Sequence, residues 1–271
     1  MPARYPERIV CLTEESTETL YLLGEERRIV GISGYTVRPA RARKEKPRVS
    51  AFLSAKNEKI LELKPDLVVG FSDLQADIAR DLAKAGLNVL IFNQRSVQQI
   101  LDMILALASL VGAADKGMSL VQKLEGGLAE IRASAQALPK RPRVYFEEWD
   151  EPMISAIRWV SELIEIAGGE DVFSSRSHSQ GASGRVVSDP ALVVQKNPEV
   201  IIGSWCGKKF RPERVAQRPG WGEISAVKAG ELHEIKSADI LQPGPAALTD
   251  GVRRIHELLR DSVSRAARRS S

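Results

Sequence analysis

Short apolar runs alternate with longer segments of helical spacing along most of the chain. Residues 8–12 form a continuous apolar run of strand length, and a helical pattern follows over 16–23, with Ser16 as the expected N-cap and Gly24 as the stop. A second strand is predicted at 29–32, ending in Ser33-Gly34-Tyr35, and a polar, basic loop runs from 36 to 47. A brief helix over 57–63 is ended by Pro65. Strands are predicted at 67–71 and 88–92, separated by a helix over 73–85 that Gly86 closes. Short apolar strands alternating with helices describe a parallel sheet covered on both faces.

The middle of the chain breaks that alternation. Residues 96–111 place Ile100, Ile104, Leu107 and Leu110 on one helical face; Gly112 punctuates; and 114–137 is a second helix carrying Leu120, Leu124, Leu128 and Ile131. At about 1.5 Å per residue the second helix is roughly 35 Å long. It reads as a rigid connector between two lobes, the alternative being a helix packed within one larger domain. After Pro139-Lys140-Arg141-Pro142 the alternation resumes, with a strand at 143–147 and a helix over 159–167 stopped by Gly168-Gly169. A Ser- and Gly-rich loop at 174–185, a short helix at 189–195 and a strand at 200–203 follow. A helical turn at 213–217, a strand at 231–235 and a last helix over 247–264, introduced by Gln242-Pro243-Gly244-Pro245, complete the pattern. The halves echo each other: Lys64-Pro65-Asp66-Leu67-Val68-Val69-Gly70 is matched by Lys196-Asn197-Pro198-Glu199-Val200-Ile201-Ile202-Gly203. The expected fold is therefore α/β, with two Rossmann-like lobes built on central parallel sheets (residues 1–112 and 139–271) and joined by a long rigid α-helix (113–138).

Composition narrows the class. The 271 residues suit two lobes, and 43% hydrophobic with 27% charged residues is the balance of a soluble globular protein. Net charge is +4, with Arg265, Arg268 and Arg269 in a basic C-terminal end that lacks the aromatic-interleaved stripe of a nucleic-acid binder. No apolar run is long enough to span a bilayer, so the chain is expected not to be membrane-inserted. The N-terminal segment lacks the apolar core of a secretory leader, which makes the cytoplasm the expected compartment. Two cysteines, Cys11 and Cys206, make no disulfide framework. His178, His233 and His256 are scattered, unlike the ligands of a metal-capture site. No phosphate loop and no Gly-x-Gly-x-x-Gly turn is present. No intrinsic cofactor is expected, and the chain is read as a monomer.

In open α/β lobes, ligands bind beyond the C-terminal ends of the strands. That rule selects residues 13–16, Ser33 to Tyr35 with Phe52, the acidic run Glu147-Glu148-Trp149-Asp150-Glu151, Ser204-Trp205-Cys206-Gly207-Lys208, and Gln242 to Pro245. Trp149 and Trp205 offer stacking faces, Glu148 a hydrogen-bonding carboxylate, and Gly203 and Gly207 close backbone approach. The bland readings stand beside these: a solvated acidic loop whose Trp covers core, and a helix-opening Trp159 that packs inside. Trp221 is placed equally at a pocket rim or in a turn.

The lysine-proline-acid turns, the long mid-chain helix, Val30-Gly31-Ile32 before Tyr35, Glu165 to Phe173 around Gly168-Gly169, and the Pro-Gly-Pro entry to the last helix carry a resemblance. From about Arg8 to Leu259 the chain resembles the substrate-binding proteins of ABC importers for cobalamin, haem and ferric siderophores, and within them the cobalamin-binding branch. The resemblance implies capture of cobalamin or a related corrinoid in the interlobe cleft, by Tyr35, Phe52, Glu148, Trp149, Trp205, Cys206 and Gln242. Phe52 stands where that branch carries a tryptophan. Glu58 matches a carboxylate that docks to the ABC permease. The equivalent position in the second lobe is Pro190, with Asp189 beside it as the docking candidate. The resemblance also implies a periplasmic location as the alternative compartment. His178 is the candidate ligand for a corrinoid cobalt, the alternative being a loop histidine without a role. The other readings are a ferric-siderophore or haem binder on the same fold, and a cofactor-processing enzyme using Glu147, Glu148 and Cys206.

Overall fold

The computed structural model describes residues 5–270, without the side chain of Ser270. The chain forms two compact units, the first made of residues up to 94, 98–124 and 243–245, the second of 95–97, 125–242 and 246 onward. The first unit contains β1 (Ile9–Cys11), α1 (Glu14–Leu22), β2 (Ile29–Ser33), α2 (Ala42–Glu45), β3 (Arg48–Ala51), β4 (Ser54–Ala55), α3 (Asn57–Glu62), β5 (Leu67–Phe71), α4 (Ala76–Lys84) and β6 (Val89–Phe92). Then come α5 (Val97–Leu110) and α6 (Ala114–Gln136), a helix of 23 residues that passes from the first unit into the second at Leu124.

The first sheet has the order β4-β3-β2-β1-β5-β6 and is parallel except for β4. Ile9 pairs with Ile29 on one side and Leu67 on the other, so β1 lies at the centre, and Ile9, Val10 and Cys11 are fully buried. The chain winds outward through β2 and β3, then crosses back to β5 and β6. The β1/β5 boundary is therefore the topological switch point, the crevice where open α/β sheets receive ligands. Val10, Leu12, Val49, Ile60, Val68 and Leu82 pack one core cluster.

The second unit contains β7 (Arg143–Asp150), β8 (Met153–Ser155), α7 (Arg158–Ile166), β9 (Glu170–Asp171), α8 (Ser174–Ser177), α9 (Ala191–Lys196), β10 (Val200–Gly203), α10 (Pro212–Ala216), α11 (Ser225–Ala229), β11 (Leu232–Glu234), α12 (Ser237–Ile240), a π-helical turn (Ala247–Gly251) and α13 (Val252–Ser270). Its sheet runs β11-β10-β7-β8, with β9 also on β7. β7, β10 and β11 are parallel, β8 folds back on β7, and the switch point lies between β7 and β10. Tyr145, Phe173, Ile201, Trp205, Phe210 and Trp221 anchor its core.

The α/β class with parallel sheets and a long mid-chain helix matches the sequence reading, and several local expectations are corrected. The helix expected to begin at Ser16 begins at Glu14 with Thr13 as N-cap, because the Ser16 and Thr17 hydroxyls donate backward to the Thr13 carbonyl. Residues 36–47 hold α2, and the Ser/Gly-rich segment holds α8 and a short 3₁₀ turn, Ala182–Arg185. The strand expected to stop at 147 continues to Asp150, held by β8. Cys11 is buried as expected, and burial pushes its thiol up to about 12.

Candidate functional site

In the first unit the strand ends assemble a face with an apolar rim. β2 delivers Tyr35 through a tight turn: the Gly34 amide donates to Ser50 O at 2.7 Å, and the Thr36 amide to Ser33 O at 3.1 Å. A methyl group at Gly34 would stand 3.1 Å from the same Ser50 oxygen, so this strand end has little room for a side chain. Tyr35 is 54% exposed. β3 and β4 form a two-residue turn, Phe52-Leu53, in which Phe52 is half-buried and Leu53 69% exposed. That turn is held by Gln75, fully buried, whose amide donates to Phe52 O at 3.0 Å and whose oxygen accepts from the Phe71 amide at 3.0 Å. Gly70 makes room for it, since a Cβ there would come within 2.5 Å of the Gln75 oxygen. After β5, Ser72 takes φ +71°, a strained conformation for a residue with a side chain. Its hydroxyl accepts from the Leu74 amide, and Leu74 projects to solvent. Leu53, Leu74 and Gln75 were absent from the sequence reading. The only signal for Leu74 and Gln75 was the position of 72–75 just past the apolar run 67–71, and Leu53 had none.

At the switch point of the same unit lies a carboxylate cluster at the start of α1. Glu14, Glu15 and Glu18 are each at least nine-tenths buried. Thr13 Oγ1 donates to Glu15 Oε1 at 2.5 Å, while Glu15 Oε2 accepts no hydrogen bond among the described residues. Burial raises the Glu15 carboxyl to about 7, with Thr13 pulling it down and the Glu18 charge pushing it up. Glu18 is paired with Arg38 at 2.9 Å. Gly244, part of this unit, packs so closely that a Cβ would come 2.4 Å from that of Glu15. Gln94 ties the same segment down, donating to Pro243 O at 3.0 Å.

In the second unit the switch point is filled from within. Glu147, fully buried, accepts two hydrogen bonds from the Arg218 guanidinium (2.6 and 3.0 Å), one from the Tyr145 hydroxyl (2.9 Å) and one from the Trp205 indole (3.1 Å). Four donors satisfy one buried charge, which is what a carboxylate at this depth requires. Burial, then the charge of Glu147, holds the Tyr145 hydroxyl well above its ordinary value. Trp205 is 4% exposed, with Phe210 edge-on at 5.0 Å between ring centres. This corrects its expected stacking role: its ring belongs to the core. Gly203 is corrected too, because the space a side chain would take is filled by the Phe210 ring. Trp221 is fully buried over Tyr145 and Arg218, not at a rim. Trp159 is buried as expected, its indole donating to Ile240 O.

Glu148 and Asp150 of the acidic run are also paired. Glu148 is held by both terminal nitrogens of Arg185, a side chain only 2% exposed that also donates to Ser155 O at 2.6 Å. Trp149, half-buried at an irregularity in the β7/β8 register, carries the Lys208 ammonium 4.2 Å from its ring centre, and Lys208 pairs with Asp150. Cys206 is exposed beside them in sequence, and Gln242 is half-buried. Glu58 is exposed in the first turn of α3. Asp189 is exposed and accepts from the Ala191 amide, the first of α9, at 2.9 Å. His178 is exposed just after α8. Among the described residues no three His, Cys, Asp or Glu side chains gather to hold a metal, and no helix is long and apolar enough to cross a membrane.

The structure thus groups Tyr35 and Phe52 at the strand ends of the first unit, and Glu148 and Trp149 at the end of β7 in the second. The comparisons with known proteins agree with this frame. A family model described as "Periplasmic binding protein" matches residues 9–238. An uncharacterized ABC transporter substrate-binding lipoprotein of Bacillus subtilis, YvrC, is 26% identical over 93% of this chain and 79% of its own length. A vitamin B12-binding protein of Vibrio cholerae is 27% identical over 89% of this chain and 85% of its own. The solved structure of a possible iron-binding, periplasmic solute-binding protein from Staphylococcus epidermidis superposes with a TM-score of 0.81 at 21% identity, covering 94% of this chain and 99% of that one.

Proposed function

This chain belongs to the periplasmic binding protein family, and we propose that it captures cobalamin or a related corrinoid as the substrate-binding component of an ABC importer, working outside the cytoplasm and without catalysing a reaction. The observation that carries the ligand class is the apolar rim of the first unit, where Tyr35, Val37, Phe52, Leu53 and Leu74 follow the C-terminal ends of parallel strands. A corrin presents a broad ring rimmed by neutral amides, and such a ligand suits an apolar platform with hydrogen-bonding groups at its margin. The near end-to-end likeness to a vitamin B12-binding protein supports the same reading.

In this reading Tyr35 and Phe52 pack on the macrocycle, and Trp149 and Gln242 are the ligand contacts proposed within the second unit. Glu148 accepts from its amides while Arg185 fixes the carboxylate. Cys206 lies at the margin, and Trp205 supports Glu147 from inside the core. Glu58 and Asp189 meet basic residues of a permease. His178 is the cobalt-ligand candidate. Equilibrium dialysis with cyanocobalamin tests the assignment. Saturable binding weakened about tenfold or more by Phe52→Ala, the loss of an aromatic contact of about 1.5 kcal/mol or more, is expected. Unaltered affinity in Phe52→Ala and Tyr35→Ala together would remove the platform from the site.

A further inference from the structure

The edge of the first sheet opposite the strand-end face carries a different chemistry. Between residues 38 and 64 the chain holds nine Lys and Arg residues against three Glu, a net of +6, so the remaining residues together are at −2. The segment alone carries more positive charge than the whole protein's net of +4. It also has a shape: Arg43, Lys46, Pro47, Arg48, Val49, Lys59, Glu62 and Leu63 line an open depression of about 460 Å³. Arg48 stands where β3 enters the sheet, three residues before the Ala51 end that leads to Phe52. Lys59 and Glu62 lie one turn apart on α3. Val49 is buried, and Leu63 reaches beneath Gly31.

None of the four cations of the depression makes an ion pair among the described residues, although the neighbouring Arg41 is paired with both Glu26 and Glu45. A depression in the second unit is the internal contrast. It is lined by Lys236, Arg253 and Arg254 with four acids, and each cation is paired: Lys236 with Glu234, Arg253 with Asp250 and Arg254 with Glu257. Four unpaired cations against one carboxylate, Glu62, leave the concavity net positive and attract an anion with several charged oxygens. Arginine forks and lysine ammonium groups together match phosphate.

We propose that this depression is a binding site for a phosphate-bearing anion, separate from the strand-end face and independent of what that face binds. The phosphate is either free, as a small phosphate or diphosphate, or carried by a lipid headgroup at a membrane surface. Both sources present the same charged oxygens to Arg43, Lys46, Arg48 and Lys59.

The test uses the full chain, the variant Arg43→Gln/Lys59→Gln, and the control Arg253→Gln/Arg254→Gln, which removes the same charge from the paired depression. Arg43 and Lys59 are exposed, and unchanged thermal unfolding confirms that their loss leaves the fold intact. Each protein is titrated with pyrophosphate by calorimetry and floated with vesicles of phosphatidylcholine alone or with phosphatidylglycerol. At roughly fivefold per cation, the first variant is expected to lose about 25-fold in affinity while the control keeps it. Saturable pyrophosphate binding lost only in the first variant assigns a free phosphate. Flotation confined to phosphatidylglycerol vesicles and lost only in that variant assigns a headgroup. Equal losses in both variants, or no binding of either probe by the parent chain, overturns the proposal.

Discussion

Glu15 converts burial into a pH dependence of stability. Its carboxyl titrates at about 7 in the folded protein, against 4.5 for an unperturbed glutamate, because burial at the start of α1 disfavours the charged form more than Thr13 stabilises it. Between those two values the folded state holds a proton that the unfolded chain has released. The stability contributed by this group is therefore fully present below about pH 4.5 and lost as pH rises through 7. A difference of about 2.5 pH units corresponds to about 3 kcal/mol across the window, an upper figure for a single group. Replacing Glu15 by Gln keeps the oxygen that Thr13 bonds and abolishes the titration. Urea unfolding followed by far-UV circular dichroism between about pH 5 and about pH 8 reads the slope, and comparison of the parent with Glu15→Gln assigns it to this carboxyl. The parent is expected to lose stability with rising pH more steeply than the variant, by up to about 3 kcal/mol over the range. Parallel curves would refute the assignment, since they would mean that Glu15 is already ionised in the folded protein.

Other consequences follow from the same geometry. All four tryptophans lie in the second unit, so indole fluorescence reports that unit alone. By this signal Arg218→Met should cost about 3–5 kcal/mol, because it strands the buried Glu147 charge, and Glu147→Gln in the same chain should recover part of the loss; a loss under about 1 kcal/mol would show that the pair is not what holds Glu147. Gly203→Ala must push the Phe210 ring aside, and should destabilise by about 1–3 kcal/mol, as overpacking does; the smaller Phe210→Leu beside it should restore much of that, and no rescue would place the strain elsewhere. If His178 ligates the cobalt of a bound corrinoid, His178→Ala shifts the visible absorption bands of the complex; an unchanged spectrum ends that assignment.

Much of the architecture could be read from local patterns, because each central strand is a short apolar run and each long helix has one apolar face. The limits of α6 were read almost to the residue, from Gly112 before it and Pro139 after it. What escaped were elements that depend on a neighbour. β8 exists because β7 runs on to Asp150 and needs an antiparallel partner. Arg185 lies in a Ser/Gly-rich stretch that reads as solvated, yet it is buried against a carboxylate 37 residues away. Trp205 follows a strand and looked available for stacking, but Phe210 folds back into the space left by Gly203. The site was legible to the same degree: its position beyond the strand ends follows from the alternation, while the division between exposed Tyr35 and buried Trp205 is a product of tertiary packing. Gln75, whose side chain holds the Phe52 turn, has no local signal beyond its place just past the apolar run of β5.

The most direct test of the central claim is calorimetric titration of the purified chain with cyanocobalamin, with haem and a ferric siderophore run alongside. The account predicts saturable one-to-one binding of the corrinoid at micromolar affinity or better, and weaker binding of the other two. Preference for haem or the siderophore would contradict the ligand class, and no binding of any of the three would contradict solute capture by this platform.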